Sequence, residues 1–194
     1  MELAYFGAKV IHPKTMQPAV VAGIPIYIRN TFRPALAGTR IFRSSTATND
    51  RRRCVCGFST VDDIALLNLE GSGMIGVPGV ARRLFGSLQH MGISVILISQ
   101  ASSEHSISVA LKAEHAAAAA KGVRETFASE LRRGLVSSVD VLSPCCIVAA
   151  VGDGMSKTNG VAGRFFSALG AAGINVLAIA QGCSERNISC VVSQ

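Results

Sequence analysis

A chain of 194 residues, 49% hydrophobic and only 16% charged, has room for one large domain or two small ones with real cores, and is not a disordered chain. No apolar run reaches the roughly 18 residues of a membrane helix, and the residues after Met1 form neither a secretory signal nor an Arg/Ser-rich transit segment. The net charge of +7 is local, with Arg29, Arg33, Arg40, Arg43, Arg51, Arg52 and Arg53 facing Asp50 alone, so it reads as a solvated linker and not as a nucleic-acid surface.

Residues 1–43 hold β-branched stretches such as IPIYIRNTF but too little chain for a stable domain, so they read as the end of something larger. SSTATND followed by three arginines reads as a linker over 44–53. Beyond it the chain repeats itself. Shifted by 81 residues, Gly71 onto Gly152, GSGMIGVPGVARRLFGSLQHMGISVILISQASSEHSIS lies over GDGMSKTNGVAGRFFSALGAAGINVLAIAQGCSERNIS without a gap.

In the first copy, 54–143, Ile64 to Gly71 reads as a buried strand and the glycine turn follows it. Val80, Leu84, Leu88 and Met91 then fall at helical spacing, with Gly92 suited to the C-terminal cap. Ile93 to Ser99 is a second strand and SISVALKAE a third. Ala116 to Gly134 reads as one helix ending in two arginines, and VDVLS as a fourth strand. The order βαββαβ predicts an α+β fold, a ferredoxin-like unit with its helices on one face of an antiparallel sheet. The second copy, 144–194, supplies strand, helix (Asn159 to Ala172), strand and strand. It is expected to be incomplete, lacking its second helix and fourth strand and so leaving an unpaired sheet edge.

The stretch Gly71 to Gly76 spells G-x-G-x-x-G, the pattern of a dinucleotide loop. Such a loop needs a parallel strand ending in an acid about 20 residues on. Here only a short turn separates the second and third strands, which forces antiparallel pairing, and Lys157 replaces the third glycine in the second copy. A nucleotide-binding enzyme remains the alternative reading. Gly71, Gly73, Gly152 and Gly154 recur before each helix, where glycine leaves backbone N–H groups bare for a carboxylate or phosphate, or serves only as a tight turn. Gln100 and Gln181 end the second strands in both copies; a carboxamide both accepts and donates hydrogen bonds, which suits a free amino acid. No catalytic constellation stands out around the four histidines. The six cysteines, at 54, 56, 145, 146, 183 and 190, form no C-x-x-C, so no metal site is expected and most read as buried thiols in a reducing compartment.

The motifs V-P-G-V, I-S-Q-A-S-S-E-H-S-I-S and A-Q-G-C-S-E-R-N-I-S resemble the paired ACT regulatory domains of aspartate kinases, and ELAYFGAKVIHPKTMQPAVVAGIPIYIRNTF resembles the end of the kinase domain of that family. The SQASSEHSIS form is most similar to bifunctional aspartokinase/homoserine dehydrogenases of plant type. The resemblance implies a regulatory segment that binds a free amino acid, threonine foremost, and joins a homo-oligomer through its ACT domains. It implies Gln100 and Gln181 as effector-binding residues, with the glycine loops and helix starts, Asn159 included, around them. Lys9 and Lys14 are the residues it places near a nucleotide. No cofactor is expected in this chain, whereas ATP and NADP are implied for the full-length protein. No membrane or nucleic-acid partner is implied, and the compartment is the plastid in a plant and otherwise the cytoplasm. A different ACT-type amino-acid-binding module is the nearer alternative.

Overall fold

The computed structural model describes residues 10–42, 54–152, 155, 158–181 and 186–194. The expected linker, 44–53, lies outside the described residues. Ahead of it, helix α1 (Pro13–Val21) starts at His12, whose Nδ1 accepts from the Lys14 amide at 3.2 Å. Strand β1 (Ile26–Ile28) then pairs antiparallel with β2 (Thr39–Ile41). Arg40 is not simply solvated: its guanidinium lies 5.9 Å from the Tyr27 ring centre and 4.6 Å from that of Phe42.

The remaining elements are β3 (Gly57–Glu70), α2 (Val80–His90), β4 (Leu97–Gln100), β5 (Ser106–Lys112), α3 (Ala116–Thr126), α4 (Ala128–Arg132), β6 (Ser138–Val151), α5 (Val161–Ala171), β7 (Val176–Gln181) and β8 (Asn187–Ser193). Their strands form one antiparallel sheet in the order β4-β5-β3-β6-β8-β7. The 81-residue shift carries β3 onto β6, α2 onto α5 and β5 onto β8 with the same end residues. The fold is therefore the expected α+β tandem of ferredoxin-like units.

The join between the units differs from the expectation. Strands β3 and β6, 14 residues each, pair with one another from Gly57↔Val151 to Glu70↔Ser138. The ladder slips only at its middle, where Asp63 takes φ 58 and Pro144 has no N–H to donate. Strands β5 and β4 extend the Ile64–Glu70 half of β3; β8 and β7 extend the Cys145–Val151 half of β6. Ser138 to Leu142 thus fill the fourth strand position of the first unit, and Gly57 to Val61 fill that of the second. The expectation that the second unit lacks its fourth strand is corrected: the strand comes from ahead of the first unit. Its second helix has no counterpart among the described residues. Strand β6 runs unbroken across the border expected at 143/144.

Two local readings also change. The helix expected over 116–134 breaks at Phe127, because the Thr126 hydroxyl donates to the Gly122 carbonyl at 2.9 Å and the Thr126 carbonyl accepts from Arg83 at 2.7 Å. The strand expected from Ile93 starts at Leu97. Gly92 turns at φ 69, and the Ile93 amide is held by the Leu88 carbonyl at 3.0 Å, so the chain stays tied to the helix before it extends.

Leu67, Leu69, Val109 and Leu111 pack under Leu84, Leu88 and Val123 in the first unit. Ile188, Cys190 and Val192 pack under Phe165 and Leu169 in the second. A third core lies on the helix-free face and draws Leu66 and Leu97 from one unit and Ile147, Ala149 and Val191 from the other. The sheet curls over this core, bringing its two edge strands, β4 and β7, close together. Cys54, Cys145 and Cys190 are buried free thiols, while Cys56 is exposed; Cys183 is outside the described residues. No helix among the described residues is long and apolar enough to cross a membrane.

Candidate functional site

A cleft of about 300 Å³ opens where the loop after β3, the start of α2 and the end of β4 meet. Its volume is at the lower end of the roughly 300–1,000 Å³ typical of small-molecule sites. The helix starts at Gly79, whose φ of 91 a side-chain-bearing residue would resist, and no side chain caps it. The first-turn amides of α2 therefore keep the partial positive charge of an open helix N-terminus toward the Gly79–Ala81 wall. Gln100, at the end of β4, lines the cleft as well. Glu104, in the β4–β5 turn at φ 58, aims its carboxylate into the same space, where Oε2 accepts from the Gly76 amide at 3.0 Å. Met74 and Ile107 supply the apolar floor. An electropositive backbone, one carboxylate and one carboxamide around an apolar floor match the carboxylate, ammonium and side chain of an amino acid.

Glu104 was not among the residues singled out from the sequence. The signal was present, since Glu104 and Glu185 recur at the same place in the two copies, but a turn glutamate reads as solvated unless the glycine loop is known to fold beside it.

The glycines play a different part from the one expected. Gly71 and Gly73 donate to the carbonyls of His105 and Leu135 at 2.9 Å each, and Gly152 to that of Arg186 at 2.9 Å. Their N–H groups are not bare, which corrects the expectation. A Cβ on Gly71 would sit 2.3 Å from the Leu135 carbonyl oxygen, and one on Gly152 1.9 Å from that of Cys54. They are glycines because the closing strand of each unit crosses there at backbone distance. The open amides lie farther on, at the start of α2.

A second cleft, of about 390 Å³, lies between the edge strands β4 and β7 and is lined by Ile98, Gln100, Ile179, Gln181, Asn187 and Ser189. The sequence placed Gln100 and Gln181 in separate units; the curl of the sheet brings both to one cleft, and Gln100 lines the first cleft as well. Asn159 is exposed and precedes Gly160, the cap of α5, so it stands where Pro78 stands in the first unit. Gly154 and most of the loop around it lie outside the described residues. Lys14 is exposed on α1 and lines neither cleft; Lys9 is outside the described residues. The described residues contain no group of three or more His, Cys, Asp or Glu able to hold a metal. The dinucleotide reading of Gly71 to Gly76 is not supported by the topology: β5 lies between β3 and β4, and every pairing is antiparallel, so no parallel crevice forms.

Three comparisons with known proteins agree with this geometry. The family model of the ACT domain matches residues 67–127 and 148–194. The chain is 46% identical over its whole length to the chloroplastic bifunctional aspartokinase/homoserine dehydrogenase 1 of Zea mays, covering 21% of that protein. It is 44% identical over its whole length to the bifunctional aspartokinase/homoserine dehydrogenase of Haemophilus influenzae, covering 23% of it. The chain thus spans about a fifth of the length of these relatives. Among solved structures it is similar to the aspartate kinase of Clostridium acetobutylicum, with a TM-score of 0.84 and 28% identity over 98% of this chain and 43% of that one. It is also similar to E. coli aspartokinase III in its T-state complex with lysine and aspartate, with a TM-score of 0.69 and 29% identity over 98% of this chain and 40% of that one.

Proposed function

The chain belongs to the ACT-domain family, and from that premise we propose that it is the amino-acid-sensing regulatory portion of a bifunctional aspartokinase/homoserine dehydrogenase. Identity over the full length of the chain to enzymes of that name supports the assignment, and the first cleft carries it. The open start of α2, the Glu104 carboxylate and the Gln100 carboxamide converge on a space of amino-acid size. The α-carboxylate sits against the α2 amides, the ammonium against Glu104, and Gln100 reads a side-chain hydroxyl. Threonine is favoured over valine because a carboxamide left without its partner is penalised.

The effector acts by binding the inhibited arrangement better than the active one; a coupling of about 1–3 kcal/mol is the usual scale. In the longer protein that coupling reaches an ATP-dependent aspartate kinase and an NADP-dependent dehydrogenase. Copies of the protein associate through these ACT units. A plant source places the protein in the plastid, consistent with the chloroplastic maize relative; otherwise it works in the cytoplasm.

Calorimetry with L-threonine, L-lysine and L-valine tests the reading. Threonine is expected to bind, valine at least about tenfold more weakly, and Gln100→Ala to weaken threonine about tenfold. Equal heats for all three, or none, reject it.

A further inference from the structure

We propose that Arg83 is a positioning residue for the first cleft, holding its helix wall and its loop wall in one arrangement through Glu130. Arg83 lies in the first turn of α2, two residues after Ala81, the last residue of the helix that walls the cleft. Its guanidinium forks onto both carboxylate oxygens of Glu130, with Nη2 3.2 Å from Oε2. The same Nη2 donates to the Thr126 carbonyl at 2.7 Å, and the plane lies 4.4 Å from the centre of the Phe127 ring.

From Glu130 the connection continues through the backbone to the other side of the cleft. The Glu130 carbonyl accepts from the amides of Leu135 at 2.9 Å and Val136 at 3.3 Å. The Leu135 carbonyl accepts from Gly73 at 2.9 Å, and Gly73 leads through Met74 to Gly76, whose amide holds Glu104. Helix wall and loop wall are therefore the two ends of one chain of contacts, with the α3–α4 break at its centre. The electrostatics agree: the hydrogen bond to Arg83 holds the Glu130 carboxyl below its usual range, and Glu130 raises the guanidinium in turn. Arg164 occupies the same turn of α5 in the second unit, yet makes no ion pair among the described residues. Among the described residues the device belongs to the first unit.

The test uses the full chain with Arg83→Met, Glu130→Gln and, as control, Arg164→Met. Without any ligand, amide exchange at Gly73 and Gly76 is expected to quicken about tenfold in the first two variants. Exchange at Cys190 and Val191 in the second unit should stay within about twofold of the original. Arg83→Lys keeps the charge but not the fork, so an intermediate rate is expected. With L-threonine added, Arg83→Met and Glu130→Gln should bind about tenfold more weakly and Arg164→Met unchanged. Unchanged exchange at Gly73 and Gly76, or a uniform rise that includes Cys190 and Val191, overturns the proposal. Should Arg83→Met fail to fold, the isosteric Glu130→Gln decides alone. The affinity arm rests on the amino-acid-binding reading: a chain that binds no threonine defeats that reading, and the ligand-free exchange still judges Arg83.

Discussion

Val139 and Phe58 hold the same place in the two units, 81 residues apart, yet Val139 is 3% exposed and Phe58 66%. In the first unit α3 lies over the strand, and Arg124 reaches down to the Val139 carbonyl at 2.6 Å. In the second, Phe58 has the ring of Phe165 beside it, centroids 6.1 Å apart. Among the described residues the ladder is duplicated, and a helix lies over its fourth strand in the first unit alone. Backbone pairing fixes the course of both units alike, whereas apolar burial, the larger energetic contribution, is unequal. Among the described residues the first unit is the more fully covered half, and it is also the one with Glu104 and Arg83 organised around a cleft.

The sharpest way to break that comparison is to remove the same side chain from both halves. Leu88 and Leu169 are repeat-mates, 1% and 9% exposed. Leu88→Ala is expected to cost about 4 kcal/mol and Leu169→Ala about 2–3, since the less enclosed site loses fewer contacts and collapses more easily. Urea unfolding of the two variants checks this. A larger loss at Leu169 would mean that the second unit is the better-packed half.

The crossing glycines come next. Gly71→Ala and Gly152→Ala each drive a methyl into backbone that cannot step aside, the Leu135–Val136 and Cys54–Val55 segments respectively. A loss of about 3 kcal/mol is expected in both. Gly79→Ala meets no atom within 4 Å and suffers only from its φ of 91, so about 1 kcal/mol is expected there. Tolerance at Gly152 alone would show that Cys54 to Val61 do not close the second unit.

Much of this was legible in the chain, and what was not has physical causes. Identical pairs such as Gly79/Gly160 and Ile107/Ile188 locate α2 with α5 and β5 with β8, because local periodicity decides where helices and strands lie. Periodicity is silent about partners. The strand Gly57 to Val61 is hidden in the sequence because Asp62 and Asp63 interrupt the apolar pattern, and they fall at the first of the ladder's two register shifts. Nor could spacing reveal that a segment ahead of the first unit completes the second. Gln100 and Gln181 were found by their repetition, but their shared cleft depends on the curl of the sheet. The repetition of Gly71 and Gly152 fits ligand binding and close backbone approach alike, since both ask for the same residue, and only the crossing segments at Leu135 and Cys54 decide between them.

The thiols sharpen the comparison with the smallest effect. Cys190, Cys145 and Cys146 stand where the first unit has Val109, Ile64 and Ala65, so they pack as small hydrophobes. Burial, followed by the neighbouring Cys146, pushes the Cys190 thiol up to about 11, and the thiol donates to the Val148 carbonyl. A thiol raised in the folded state keeps its proton longer there than in the unfolded chain. Its stabilisation is whole below the unfolded value, about 8.5, and is lost as pH climbs toward 11. Unfolding free energy should therefore decline across that window. Cys190→Val, which copies the first unit, should lessen the decline while leaving stability at pH 7 within about 1 kcal/mol. Denaturant titrations at pH 7, 9 and 10.5 measure it, with iodoacetamide labelling Cys56 well before Cys190. An unaltered alkaline slope in Cys190→Val would move the titration to Cys145 and Cys146, whose thiols burial also raises.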